Sequence, residues 1–95
     1  MAQKLRWHPE AVNDLEAICR YIAKDSQNYA ILFAEKIFSI AERISRFPLS
    51  GRIVPEYKQK NIREIIYGNY RVVYRIKNDI IEIATITHGA RIMKL

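Results

Sequence analysis

The residues best placed to do chemistry in this chain are Glu64, Arg71, Arg75, Glu82 and His88, gathered in its last third. Guanidinium groups bind phosphates and carboxylates bidentately, and a histidine titrates near neutral pH. The set therefore suits oxyanion binding or proton transfer at a phosphate. Two dipeptides, Gly68-Asn69 and Asn78-Asp79, read as two-residue hairpin turns and set the mutual placement of these residues. Tyr67 then pairs with Tyr70 and Lys77 with Ile80. Counting outward puts Glu64 opposite Val73, Ile66 opposite Arg71, Arg75 opposite Glu82 and Arg71 opposite Ile86. Alternation gathers Glu64, Arg71, Val73, Arg75, Glu82, Ala84 and His88 on one face, and Tyr70, Val72, Tyr74, Ile76, Ile81 and Ile83 on the other. In this register Arg75 has a carboxylate directly across, whereas Arg71 has Glu64 only on the diagonal and His88 as a diagonal neighbour. Two arrangements follow. Either Arg71 and His88 form an open site for a phosphate or carboxylate, or Arg71 and Arg75 are spent on Glu64 and Glu82 in a solvated ladder. A slip of one residue would exchange the faces.

Other reactive residue types point to structure. His8 precedes Pro9 and reads as a helix-start residue. His8, His88 and Cys19 lack the close ligand pair of a metal site, so no metal or cofactor is expected. Cys19, Trp7 and Phe47 fall on apolar positions and read as core residues. Lys58 and Lys60 read as solvated charges, and nothing in the spacing of Tyr57 and Tyr67 demands that they meet a partner. Neither a phosphate-binding glycine loop nor a Ser/His/Asp order is found.

The elements that must carry these residues divide at Pro48. Before it, Leu5–Trp7 reads as a short strand, and Pro9 suits the first turn of a helix with Val12, Leu15, Ile18, Cys19 and Ile22 as its stripe. Asp25 or Ser26 caps a second helix with the stripe Tyr29, Phe33, Ile37, Ile40, Ile44 and Phe47, and so short a break makes an antiparallel hairpin. After it, Leu49–Lys60 reads as a loop. Ile62–Tyr67, Tyr70–Lys77 and Ile80–Ile86 then read as a three-stranded meander to which the first strand can add. The fold class is α+β: a short N-terminal strand and an antiparallel helix hairpin packed on a three- to four-stranded, mainly antiparallel sheet.

With 95 residues, 49% of them hydrophobic, the chain is expected to form one domain, 1–95. A single cysteine excludes an internal disulfide framework. The uncharged runs are too short for a membrane span, and the N-terminus lacks a signal-peptide stretch, so a cytoplasmic location is expected. The net charge is +6, and the halves before and after residue 48 carry +1 and +5. A basic second half suits nucleic acid or an acidic protein partner.

Taken in order, Trp7-His8-Pro9-Glu10-Ala11, Arg46-Phe47-Pro48-Leu49-Ser50-Gly51-Arg52, Val54-Pro55-Glu56, Ile62-Arg63-Glu64, Tyr70-Arg71-Val72-Val73-Tyr74-Arg75 and Thr87-His88-Gly89-Ala90-Arg91 resemble the RelE/ParE toxin superfamily of type II toxin–antitoxin systems. The resemblance spans nearly the whole chain and implies a small toxin neutralised by a cognate antitoxin. In one branch, RelE-like members are ribosome-dependent endoribonucleases that cut mRNA. There Arg71 matches the family's strand arginine, Arg63 substitutes for its lysines and His88 serves as acid or base. The chain departs from that branch in having Ile62-Arg63-Glu64 where the lysines belong and no aromatic residue after Tyr74. In the other branch, ParE-like members bind DNA gyrase. The Gly51-Arg52…Pro55-Glu56 loop and the His88-Gly89-Ala90-Arg91 ending resemble this branch more closely, with Arg52, Arg63, Arg71 and Arg91 as the target-binding residues it implies. An exposed edge strand and apolar helix surface also suit a homodimer or a toxin–antitoxin hetero-oligomer.

Overall fold

The helix hairpin forms where the caps direct it. The computed structural model describes residues 3–90. In it His8 holds an extended backbone and its Nδ1 accepts the Glu10 N–H at 3.1 Å, starting α1 (Pro9–Ala23) with Pro9 in the first turn. The Ser26 hydroxyl accepts the Tyr29 N–H at 3.2 Å and starts α2 (Gln27–Arg46) after a three-residue break. Ala11, Leu15, Phe33, Ile37, Ile40, Ala41 and Ile44 bury one face of the hairpin against Val72, Tyr74, Ile81, Ile83 and Ile86 of the sheet. Trp7 and Cys19 pack at the margin of this core, as expected. Tyr29, in the first turn of α2, and Phe47, just past its end, are instead exposed.

The sheet has five strands in the order β1-β5-β4-β3-β2. β1 (Lys4–Trp7) runs parallel to β5 (Ile80–His88), while β3 (Ile62–Tyr67), β4 (Tyr70–Lys77) and β5 form the expected antiparallel meander. The fifth strand, β2 (Arg52–Ile53), is two residues long and pairs with β3 inside the segment read as loop. A pair so short leaves no periodic signal. Gly51, just before it, has no room for a side chain: a Cβ would lie 2.6 Å from the Glu64 carbonyl and from the Tyr74 hydroxyl. That hydroxyl accepts the Gly51 N–H at 2.9 Å and donates to the Pro48 carbonyl at 2.7 Å, tying the end of α2 to the middle of β4.

Two expectations about the sheet are corrected. The first is register. Turn counting holds between β3 and β4, and between β4 and β5 as far as Tyr74↔Ile83. The next pair is Val73↔Thr85, so Ala84 is an extra residue on β5, and Arg71 stands opposite Thr87 rather than Ile86. A bulge of this kind switches the parity of everything beyond it. The second is cover. The sheet face away from the helices is not open, because Val54 and Tyr57 of the β2–β3 loop pack on Ile62 and Val73 as a second, smaller core. Among the described residues no helix is long and apolar enough to cross a membrane.

Candidate functional site

Arg71 leaves β4 on the face away from the helices, beside the loop that covers it. Its Nε donates to Glu64 Oε1 at 2.5 Å, and its Nη1 and Nη2 donate to Glu56 Oε2 and Oε1, both at 2.7 Å. Glu64 uses its other oxygen to accept Arg52 Nε at 2.6 Å. The Arg71 side chain is 6% exposed and that of Glu64 is fully buried. Charges so far from water persist when they are paired and hydrogen-bonded, and here both are. The hydrogen bonds to Glu56 push the Arg71 guanidinium further above its ordinary value; burial opposes them, and Glu64 adds to the upward shift. Of the two arrangements the sequence allows, the open site at Arg71 is ruled out: a fork of two carboxylates already takes the positions an oxyanion would occupy. Pairing with Glu64 agrees with the ladder reading, but the ladder is buried rather than solvated.

The remaining candidates separate. His88 stands opposite Tyr70 with ring centroids 5.8 Å apart, on the helix side of the sheet, because the Ala84 bulge reversed its parity. It borders a groove of about 480 Å³ with Asp14, Ile18, Tyr21, Tyr70 and Ile86. Arg71 and His88 thus do not meet. The Asp14 carboxylate accepts the Thr85 hydroxyl and, at 3.0 Å, the Ile86 N–H, tying α1 to the outer edge of β5. Arg63 is half-buried opposite Tyr74; its Nε donates to the Lys60 carbonyl at 2.9 Å and its Nη1 to the Gly51 carbonyl at 3.0 Å, so it clasps both ends of the β2–β3 segment. Arg52 reaches out from β2 with 60% of its side chain exposed. Arg91 lies outside the described residues.

The opposite end of the same face holds a second buried carboxylate, Glu82 of β5. It accepts Arg75 Nη1 at 2.7 Å, with Arg6 Nε and Lys77 Nζ each 3.4 Å away. Burial alone would raise the Glu82 carboxyl, but the bonds from Arg75 and Lys77 outweigh it and hold the group below the ordinary carboxylate value. The Arg75–Glu82 pair is the one that turn counting foresaw. Glu56, Arg6 and Lys77 were missed: Glu56 sits in a loop without period, and the parallel docking of β1 that brings Arg6 in has no local signature. Among the described residues no group of three or more His, Cys, Asp or Glu side chains is arranged to hold a metal ion.

Residues 5–93 match the family described as the ParE toxin of type II toxin–antitoxin systems, parDE. A curated relative, "Putative toxin Y4kP" of Sinorhizobium fredii, is 31% identical over 89 residues, covering 92% of this chain and 88% of the relative. Among solved structures, the chromosomal ParDE toxin–antitoxin system from P. aeruginosa aligns with a TM-score of 0.73 at 20% identity, covering 92% of this chain and 96% of that one. The toxin–antitoxin complex RelBE2 from Mycobacterium tuberculosis aligns at 0.60 and 22% identity over 93% of this chain and 99% of that one. At such identities the two structures speak for the fold alone, and that fold is the one described above.

Proposed function

From the premise that this chain belongs to the ParE toxin family of type II toxin–antitoxin systems, we propose that it inhibits growth by binding DNA gyrase and is neutralised by a cognate antitoxin. The observation that carries this reading is the division of the ribonuclease candidates. Cleaving RNA needs a cation at the phosphate and an acid or base beside it. Here the Arg71 guanidinium is enclosed by Glu56 and Glu64, and His88 lies on the other side of the sheet. A binding function asks for no such convergence.

Arg52, Arg63 and Arg91 are the proposed contacts with the target. Arg71 supports them from behind: through Glu64 it fixes Arg52, and through Glu56 it holds the loop whose flanks Arg63 clasps. Arg71 is thus a positioning residue. The test is supercoiling of relaxed plasmid by purified gyrase, run beside a translating extract in which mRNA ends are mapped. The expected result is lost supercoiling and trapped DNA breaks with intact mRNA. Cleaved mRNA with untouched supercoiling would reverse the proposal in favour of the ribosome.

A further inference from the structure

We propose that the end of the sheet face bearing Lys4, Arg6, Arg75 and Lys77 docks the phosphate backbone of duplex DNA. Strand register puts the four on one side. Lys4 and Arg6 of β1 stand opposite Ile80 and Glu82 of β5, which in turn stand opposite Lys77 and Arg75 of β4. Glu82, at the centre, is 1% exposed and shared among Arg75, Arg6 and Lys77. One carboxylate does not neutralise three cations. With Asp79 of the adjoining turn counted, four cations meet two carboxylates. The side chains are open to water to different degrees: that of Arg6 is 62%, of Lys77 52% and of Arg75 28% exposed. The patch therefore presents a net charge of about +2, whereas the Arg71 end balances Arg52 and Arg71 with Glu56 and Glu64.

The geometry of the patch selects among polyanions. Its cations form two rows, on β1 and β4, which flank β5 and so lie about 10 Å apart, with about 7 Å between successive same-face positions along a strand. Carried on long, flexible side chains, two such rows can reach the phosphates of both strands that border a groove of B-DNA, whose grooves are about 6 and 12 Å wide. A single strand would call for aromatic stacking platforms. The exposed aromatic residues among those described, Tyr21, Tyr29, Phe38 and Phe47, lie on the helices or just after α2. An acidic peptide would call for an apolar anchor. Ile80, which the register places between Lys4 and Lys77, is half-buried; exposed Ile66 is at the Arg71 end, and Leu5 stands opposite Ile81 of the helix-side core. The choice of DNA over an RNA duplex rests on the gyrase reading, since gyrase acts on DNA; the choice of duplex phosphate does not.

The test is fluorescence anisotropy of a labelled mixed-sequence DNA duplex of about 20 base pairs, titrated with the full chain between about 50 and 200 mM salt. Neutralising three to four phosphates predicts a slope of log affinity against log salt of about −3. Arg6→Ala/Lys77→Ala is expected to weaken binding at least about tenfold at the low-salt end and to flatten the slope by about 2. Lys24→Ala/Arg43→Ala removes the same charge from the helices and is expected to stay within about twofold. Thermal melts of both variants confirm that each is folded. Absence of binding at low salt, equal losses in both variants, or tighter binding of an RNA duplex, a single strand or a Glu-rich peptide would overturn the proposal. DNA binding is read without gyrase, so a failure here and a failure of the gyrase reading are separate results.

Discussion

The two ends of one sheet face use the same residue types to opposite ends. At one, Arg71 lies between Glu64 and Glu56 with 6% of its side chain exposed, and Arg52 completes a balanced network of two cations and two carboxylates. At the other, Arg6, Arg75 and Lys77 crowd a single buried carboxylate, Glu82, with side chains 62%, 28% and 52% exposed. The difference is cover. The β2–β3 loop lays Val54 and Tyr57 over the middle of the face and brings Glu56 down on Arg71, while no loop among the described residues brings a carboxylate to Arg6 in the same way. An arginine's place on a strand does not decide whether it serves the fold or a partner; the neighbouring loop does.

Breaking the covered end should cost most. Arg71→Ala would leave Glu64 buried with Arg52 alone and deprive Glu56 of its fork, so a loss of about 3–5 kcal/mol is expected in urea unfolding. A loss below about 1 kcal/mol would mean that the network holds little of the fold. Next comes Tyr74→Phe, which removes the acceptor of the Gly51 N–H and the donor to the Pro48 carbonyl inside a buried contact. About 1–3 kcal/mol is expected, visible as a lower melting temperature with the loop's amide exchange accelerated.

At the uncovered end the effects should be smaller and depend on pH. Glu82 is held below the ordinary carboxylate value, so its stabilising contribution is complete above that value and is lost as pH falls through the depressed one. Urea midpoints of the wild type should therefore decline below about pH 4.5. Glu82→Gln should start lower at pH 7 and decline less steeply, and parallel curves would remove Glu82 as a source of the acid sensitivity. Arg6→Ala should cost less than about 1 kcal/mol, because its side chain is 62% exposed and its attraction to Glu82 is screened by water.

Much of the fold was legible because its signals are local. Pro9 and Ser26 mark helix starts, Pro48 stops α2, and the Gly68-Asn69 and Asn78-Asp79 turns set the hairpin register as far as Tyr74↔Ile83. The site was less legible because its determinants are not local. The Ala84 bulge carried His88 away from Arg71, and nothing in Ile83-Ala84-Thr85 announces an extra residue. Glu56 finds Arg71 fifteen residues along the chain through a loop whose path depends on the close approach of Gly51 to Tyr74. Arg75 and Glu82 were read correctly because a tight turn alone places them.

The claim that Arg71 is spent within the fold is tested most directly by a double-mutant cycle between Arg71→Ala and Glu56→Ala, read as unfolding free energies at neutral pH. Two parallel bonds at 2.7 Å to an ionised partner predict a coupling of at least about 1.5 kcal/mol. Losses that add within about 0.5 kcal/mol would contradict the claim and return Arg71 to the surface as a group available to the target.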